Sequence, residues 1–238
     1  MQRQTDFSLW ANALLFDMDG TLVDSSAVVE KVWHGFAARH GLDAAAVMAR
    51  IPGRKAEESV ALLAPPGVDV AAEAARLTAE EVADTEGIVA LPGAARLLAA
   101  LPDHAWALVT SAPRVLAEAR MRAAGLPLPA VMICGEEVER GKPDPEGYLK
   151  AAQRLKVAPA DCVVFEDAPA GLQAGLAAGM QVVALAGTLP SAQLADFCWL
   201  TDYRDLQLQQ QNGRFCLSRT RPLVQVEPVM ATRLRQST

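Results

Sequence analysis

Two aspartates one residue apart, Asp17 and Asp19, follow the apolar run at the start of "LLFDMDGTLVDS" (residues 14–25). Carboxylates crowded at the end of a buried strand resist ionisation unless a nearby cation favours the charged form. Further along, "AWALVT" delivers Thr110 and then Ser111, "ERGKPDP" contains Lys142, and "CVVFED" ends on Glu166 and Asp167. If these runs are neighbouring strands, four carboxylates, one lysine and two hydroxyls converge. Such a carboxylate excess suits a hard cation with oxygen ligands, which points to Mg2+. A phosphorylated substrate completes the charge balance. Asp17 can then attack phosphorus and form an aspartyl-phosphate. Mg2+ and Lys142 would neutralise the equatorial oxygens. The Thr110 hydroxyl and nearby backbone N–H groups would hold the phosphoryl group. Asp19 stands in reach of the leaving oxygen, placed to protonate it and then to take a proton from water.

Those residues need elements to position them. Besides the first run, "AWALVT", "AVMIC", "CVVFED" and "QVVALA" are short, apolar and rich in β-branched residues. They do not alternate, as expected of strands buried on both faces. Helix-like stretches separate them: "PGAARLLAAL", "PRVLAEARMRAAGL", "PEGYLKAAQRLK" and "PAGLQAGLAAG". Alternating strands and helices predict a doubly wound parallel α/β sheet, which binds ligands at the carboxyl ends of its strands. From Ser26 to Glu86 the rhythm breaks, and four amphipathic helical patterns follow one another without a strand. This predicts a helical cap inserted into the core. The expected organisation is a catalytic core of residues 1–24 and 88–205, a cap of 25–87, a hairpin at 206–218 around Asn212–Gly213, and a mobile tail at 219–238.

Composition excludes some classes. Of 238 residues, 51% are apolar, and 22 basic against 28 acidic side chains leave a net charge of -6. An acidic protein is not expected to bind nucleic acid through a broad surface. No apolar run reaches the ~18–20 residues needed to cross a bilayer, and the N-terminus lacks a basic-then-apolar signal pattern. Four scattered cysteines without a CxxC pair read as buried apolar groups in a reducing compartment. The cytoplasm is therefore the expected location, a small phosphorylated metabolite the expected partner, and a monomer the default. His34, His40 and His104 share no ligand spacing and read as surface residues. Gly171, Gly175 and Gly179 recur every fourth position, as close helix-to-sheet packing with Gly179 as terminator would require.

"FDMDGTLVD", "LVTSA", "RGKPDP" and "VVFEDAPAG", in this order, resemble the four signature motifs of the haloacid dehalogenase superfamily of phosphohydrolases. The resemblance covers residues 12 to 200. It implies Asp17 as nucleophile and metal ligand, and Asp19 as general acid and base with a backbone carbonyl on the metal. It implies Thr110 as phosphate-binding hydroxyl, Lys142 as the charge-neutralising lysine, and Asp167 as metal ligand with Glu166 beside it. The insertion after the first motif is where members with a small helical cap carry it. "VVFEDAPAG", "TEGIVALPGA" and "RGKPDP" are more closely similar to bacterial sugar phosphatases, which act on hexose, pentose and polyol phosphates.

Within that superfamily, dehalogenases and phosphonatases do not use an aspartate at the position of Asp19. β-Phosphoglucomutases share the cap type but commonly carry histidine where this chain has Val29, so a phosphosugar mutase is the alternative reading. The cap loop "RIPGRKAEES" is expected to face the substrate through Gly53, Arg54 and Lys55, which precede a helix. Asp24 and Ser25 open the cap linker, either to touch substrate or to act as a hinge. Ser111 either donates to the phosphate or caps the next helix.

Overall fold

The computed structural model describes residues 6–187, 189 and 193–219; of the predicted tail, 219–238, all but Arg219 lies outside them, and Arg219 ends the last strand. Along the chain, β1 (Phe7–Ala11), β2 (Ala13–Phe16) and β3 (Val23–Asp24) lead into four helices. These are α1 (Ser26–His40), α2 (Ala44–Met48), α3 (Ala56–Leu63) and α4 (Val70–Ala83). The Asp43 and Asp69 side chains cap α2 and α4 by accepting from Ala45 and Ala72 N–H. Then come β4 (Val89–Ala90), α5 (Ala94–Ala99), β5 (Trp106–Val109), α6 (Arg114–Ala123) and β6 (Val131–Ile133). The chain continues through α7 (Glu146–Leu155), β7 (Cys162–Glu166), α8 (Pro169–Ala177), β8 (Gln181–Leu185) and β9 (Cys198–Leu200). It ends with β10 (Leu206–Gln211) and β11 (Arg214–Arg219).

Six strands form the central sheet in the order β6-β5-β2-β7-β8-β9, all neighbours parallel. The fold is the doubly wound α/β core with an inserted helical unit that the sequence pattern predicts. Both faces of the sheet are covered, so β2, β5 and β7 are buried at every position. Register decides the site: Phe16 pairs with Leu108 on one side and with Phe165 on the other. Asp17, Thr110 and the Glu166–Asp167 pair therefore leave the sheet at the same edge.

Two further sheets complete the frame. The chain entering and leaving the helical unit is stitched by β3 and β4, antiparallel, with Val23 opposite Ala90. A three-stranded antiparallel sheet, β1-β11-β10, joins the first and last described strands, with Phe7 opposite Arg219. Histidine placement differs from expectation at one position. His40 is half-buried, its Nε2 3.2 Å from Glu73, because α1 lays it against α4.

Candidate active site

Asp17 is the first residue beyond β2, anchored by its N–H to the Phe165 carbonyl at 3.0 Å. Its Oδ1 accepts from Lys142 Nζ at 2.5 Å. The same ammonium donates to Glu166 Oε1 at 2.6 Å and to the Val109 carbonyl at 3.1 Å. All three donors of Lys142 are thereby used. The loop between β6 and α7 has to bring this lysine across the strand ends, and it is buried there at 7% exposure. Burial pulls the Lys142 ammonium down, but Asp17 and Glu166 outweigh it and hold it well above the ordinary lysine value. The Asp17 carboxyl also sits well above its ordinary range. Burial is the main cause, Lys142 opposes it, and the charges of Glu166 and Asp167 add to it.

Glu166 is fully engaged. Tyr148 Oη donates to its Oε1 at 3.2 Å, while the N–H groups of Asp167 and Ala168 donate to Oε2, each at 2.9 Å. Thr21 Oγ1 donates to Asp167 Oδ1 at 3.4 Å. Two glycines leave room for these carboxylates. A Cβ on Gly20, whose φ of +76° already favours glycine, would stand 2.1 Å from Asp167 Oδ2. A Cβ on Gly171 would stand 1.7 Å from Glu166 Oε1. Gly175 meets Val182 and Val164 of the sheet as expected, and Gly179 ends α8 at φ +73°. Gly171→Ala should therefore expel a carboxylate held by four hydrogen bonds. The expected cost is about 1–3 kcal/mol of stability, with a large fall in turnover, read by thermal melting and an activity assay on the same preparation.

Asp17, Glu166 and Asp167 offer carboxylate oxygens within 4.8 Å of one another. Three buried acids against one lysine leave a local negative excess, and an all-oxygen donor set of this kind fits a hard divalent cation. The Asp19 side chain lies outside that cluster. Its Oδ1 accepts from Ser25 Oγ at 2.6 Å and its Oδ2 from Arg120 Nη1 at 2.8 Å. Ser25 is buried and thus bound to a site residue, whereas Asp24 is exposed and accepts from Ser26 at the start of α1. Asp24 thereby ties the linker to the first residue of α1.

Thr110 is buried, its N–H on the Ile133 carbonyl and its Oγ1 accepting from Ala112 N–H at 3.1 Å. That leaves the hydroxyl hydrogen able to point at a ligand. Ser111 instead donates to the Gly53 carbonyl at 2.8 Å, tying the loop after β5 to the loop before α3. It does not cap α6, which starts after Pro113 without a side-chain cap. Lys55 Nζ donates to the Val138 carbonyl at 2.7 Å, which engages one of its three donors and ties the loop before α3 to the loop after β6. Gly53, at φ +75°, approaches Ala168, where a Cβ would stand 3.0 Å from the alanine methyl. Arg54 is exposed and unburdened by these contacts. The loop thus closes over the strand ends chiefly through backbone and Ser111. Sequence reasoning missed Arg120, Glu81 and Tyr148. Each lies on a helix pattern that reads as ordinary: Arg120 shares a face with Leu116 and Ala117, and Glu81 with Ala74 and Leu77, and periodicity alone does not tell such a buried charge from a solvated one.

Fold and site together define a class, a doubly wound α/β core with its acidic centre at the carboxyl ends of the strands and a helical unit inserted after the first site strand. Residues 11–179 match the family model described as haloacid dehalogenase-like hydrolase, and the chain belongs to that family. It is 50% identical over 175 residues to hexitol phosphatase A of Escherichia coli, covering 72% of this chain and 81% of that one. It is 36% identical over 192 residues to glycerol-1-phosphate phosphohydrolase 2 of Saccharomyces cerevisiae, covering 76% and 77%. Among solved structures it resembles CbbY from Rhodobacter sphaeroides in complex with phosphate, with a TM-score of 0.66, 26% identity, and 81% and 95% of the two chains covered.

Proposed function

We propose that this hydrolase is a Mg2+-dependent phosphatase of small sugar or polyol phosphates, working through an aspartyl-phosphate on Asp17. The observation that carries the reading is the buried Asp17–Lys142–Glu166 chain at the sheet edge, with Asp167 beside it. The likeness to hexitol and glycerol phosphate phosphatases supports the substrate class.

The residues divide the work as follows. Asp17 Oδ attacks phosphorus as the bond to the leaving oxygen breaks. Lys142 keeps the nucleophile oriented and offsets charge on the phosphoryl oxygens. Thr110 donates its hydroxyl to one of those oxygens. Asp19 gives its proton to the leaving oxygen, then takes one from the water that attacks the phosphorylated Asp17. Glu166 has no oxygen to spare, so its role is to fix Lys142. Asp17, Asp167 and the Asp19 main-chain carbonyl would hold Mg2+, which supplies Lewis-acid neutralisation of the phosphoryl group when bound.

Helices α1–α4 serve in this reading as a cap over the site that excludes water and reads the leaving group, with Ser25, Gly53, Arg54 and Lys55 on the side facing the core. A monomer in the cytoplasm is the proposed setting. No helix among the described residues is long and apolar enough to cross a membrane. Val29 is half-buried in the apolar packing and offers no hydrogen bond, which disfavours a phosphosugar mutase.

A panel of sugar, polyol and nucleotide phosphates, assayed for phosphate release with Mg2+ and with EDTA, tests the reading. Metal-dependent release concentrated on sugar or polyol phosphates is expected. Well-folded protein that releases none, yet converts β-glucose 1-phosphate to glucose 6-phosphate, would replace the phosphatase with the mutase.

A further inference from the structure

Arg120 is a charged residue where the fold has a place for an apolar one. On α6 the buried face is Leu116, Ala117, Arg120 and Met121, and the arginine side chain is 4% exposed. A guanidinium so far from water is costly unless carboxylates surround it. Two do, one at each Nη nitrogen. Asp19, from the loop after β2, accepts from Nη1 at 2.8 Å. Glu81, from the buried face of α4, lies 3.4 Å from Nη2. The three side chains come from the core loop, a core helix and the inserted helical unit, and α4 packs on α6. Neither Nη2 nor Nε has a hydrogen-bond partner among the described residues, so the guanidinium fork is only half used.

We infer that Arg120 is a positioning residue for Asp19, and that Glu81 links that position to the placement of α4. The inference rests on the proposed phosphatase reading. The geometry of Asp19 explains how this works. Arg120 takes Oδ2 through a side chain that is itself buried, and with Ser25 on Oδ1 the two contacts hold the carboxyl in place. Oδ1 is held only by the Ser25 hydroxyl at 2.6 Å, and a hydroxyl can rotate away. Oδ1 is therefore the oxygen that carries the proton to the leaving group. It loses that proton as the phosphorus–oxygen bond breaks and regains one from the attacking water. Movement of α4 away from the core would draw Glu81 from Arg120 and loosen the acid whenever the site is open.

Leaving-group chemistry separates this role from simple structural support. Departure of a polyol alkoxide needs a well-placed acid, whereas p-nitrophenolate leaves without one. The comparison uses kcat/KM, which reports the steps up to loss of the leaving group. Arg120→Met is expected to lower kcat/KM for glycerol 1-phosphate by about 10²-fold, and for p-nitrophenyl phosphate by no more than about threefold, a loss too small to involve the acid. Arg120→Lys should recover part of the first loss. Because Arg120→Met leaves the buried Glu81 carboxylate without its counter-charge, the charge-balanced Arg120→Met/Glu81→Gln protein is run beside it, with melting curves to show folding. Equal losses on both substrates in a folded variant, or no loss on either, would overturn the inference while leaving the phosphatase reading standing. Wild-type protein that hydrolyses neither these two substrates nor any sugar or polyol phosphate of the panel would overturn that reading and the inference together.

Discussion

Replacing Asp17 with asparagine should abolish turnover while leaving the fold at least as stable as before. The amide keeps the size of the side chain and can still accept from Lys142, but it is not a nucleophile. The expected loss in kcat/KM is about 10⁴-fold or more, as for removal of an attacking group elsewhere. Stability should move the other way. The Asp17 carboxyl sits well above its ordinary 3.8 because burial, then the charges of Glu166 and Asp167, outweigh the help of Lys142. A carboxyl with a raised folded-state pKa binds its proton more tightly in the native protein than in the unfolded chain. Stability is then highest at acid pH and falls as pH rises from the unfolded value through the folded one. The substituted amide carries no charge to bury, so metal-free Asp17→Asn should melt above wild type at neutral pH, with the advantage shrinking as pH falls toward about 4. Thermal melting across that range in EDTA, with activity measured in Mg2+, reads both effects. Equal melting temperatures at every pH would mean that Asp17 is not strained by its neighbours.

The second large effect is expected at Lys142. Among the described residues its ammonium is the single cation in contact with both Asp17 and Glu166, and those acids are buried. Lys142→Met keeps the stem and removes the charge. Breaking a buried pair from one side leaves uncompensated charge, with an expected loss of about 3–5 kcal/mol. Activity should fall by about 10³-fold, the scale seen when a preorganised charge stabiliser is removed. One further result follows from the charge balance. Without the lysine, the negative cluster should gain more from a divalent cation, so Mg2+ should raise the melting temperature of the variant more than that of wild type. A variant that melts with wild type in EDTA would contradict the proposed role of Lys142 as the counter-charge of the cluster.

Strands buried on both faces must be continuously apolar, so "ALLF", "WALV" and "CVVFE" were readable without any knowledge of their neighbours. The residue after each run lies at the sheet edge whatever the rest of the chain does. Asp17, Thr110 and Asp167 could therefore be placed from sequence. What depended on partners distant in the chain could not be read. β1 alternates in burial and looks marginal alone, because the strand that completes it, β11, begins at Arg214. β3 and β4 are two residues each, too short to leave a pattern. The reach of Lys55 to the Val138 carbonyl depends on where the loop after β6 passes. Arg120 is the clearest case. Its partners lie 101 residues upstream in Asp19 and on α4 in Glu81, and helix periodicity alone does not distinguish a buried arginine from a solvated one.

The most direct measurement is acid-quenched rapid mixing of Asp19→Asn with p-nitrophenyl phosphate in Mg2+, followed by peptide mass spectrometry. This leaving group departs without an acid, while hydrolysis of the intermediate still needs the missing base. An aspartyl-phosphate mechanism requires a burst of p-nitrophenol equal to the enzyme present, and one phosphoryl group on the peptide that contains Asp17. Steady release of p-nitrophenol with no phosphoryl group on Asp17 at any quench time would contradict it.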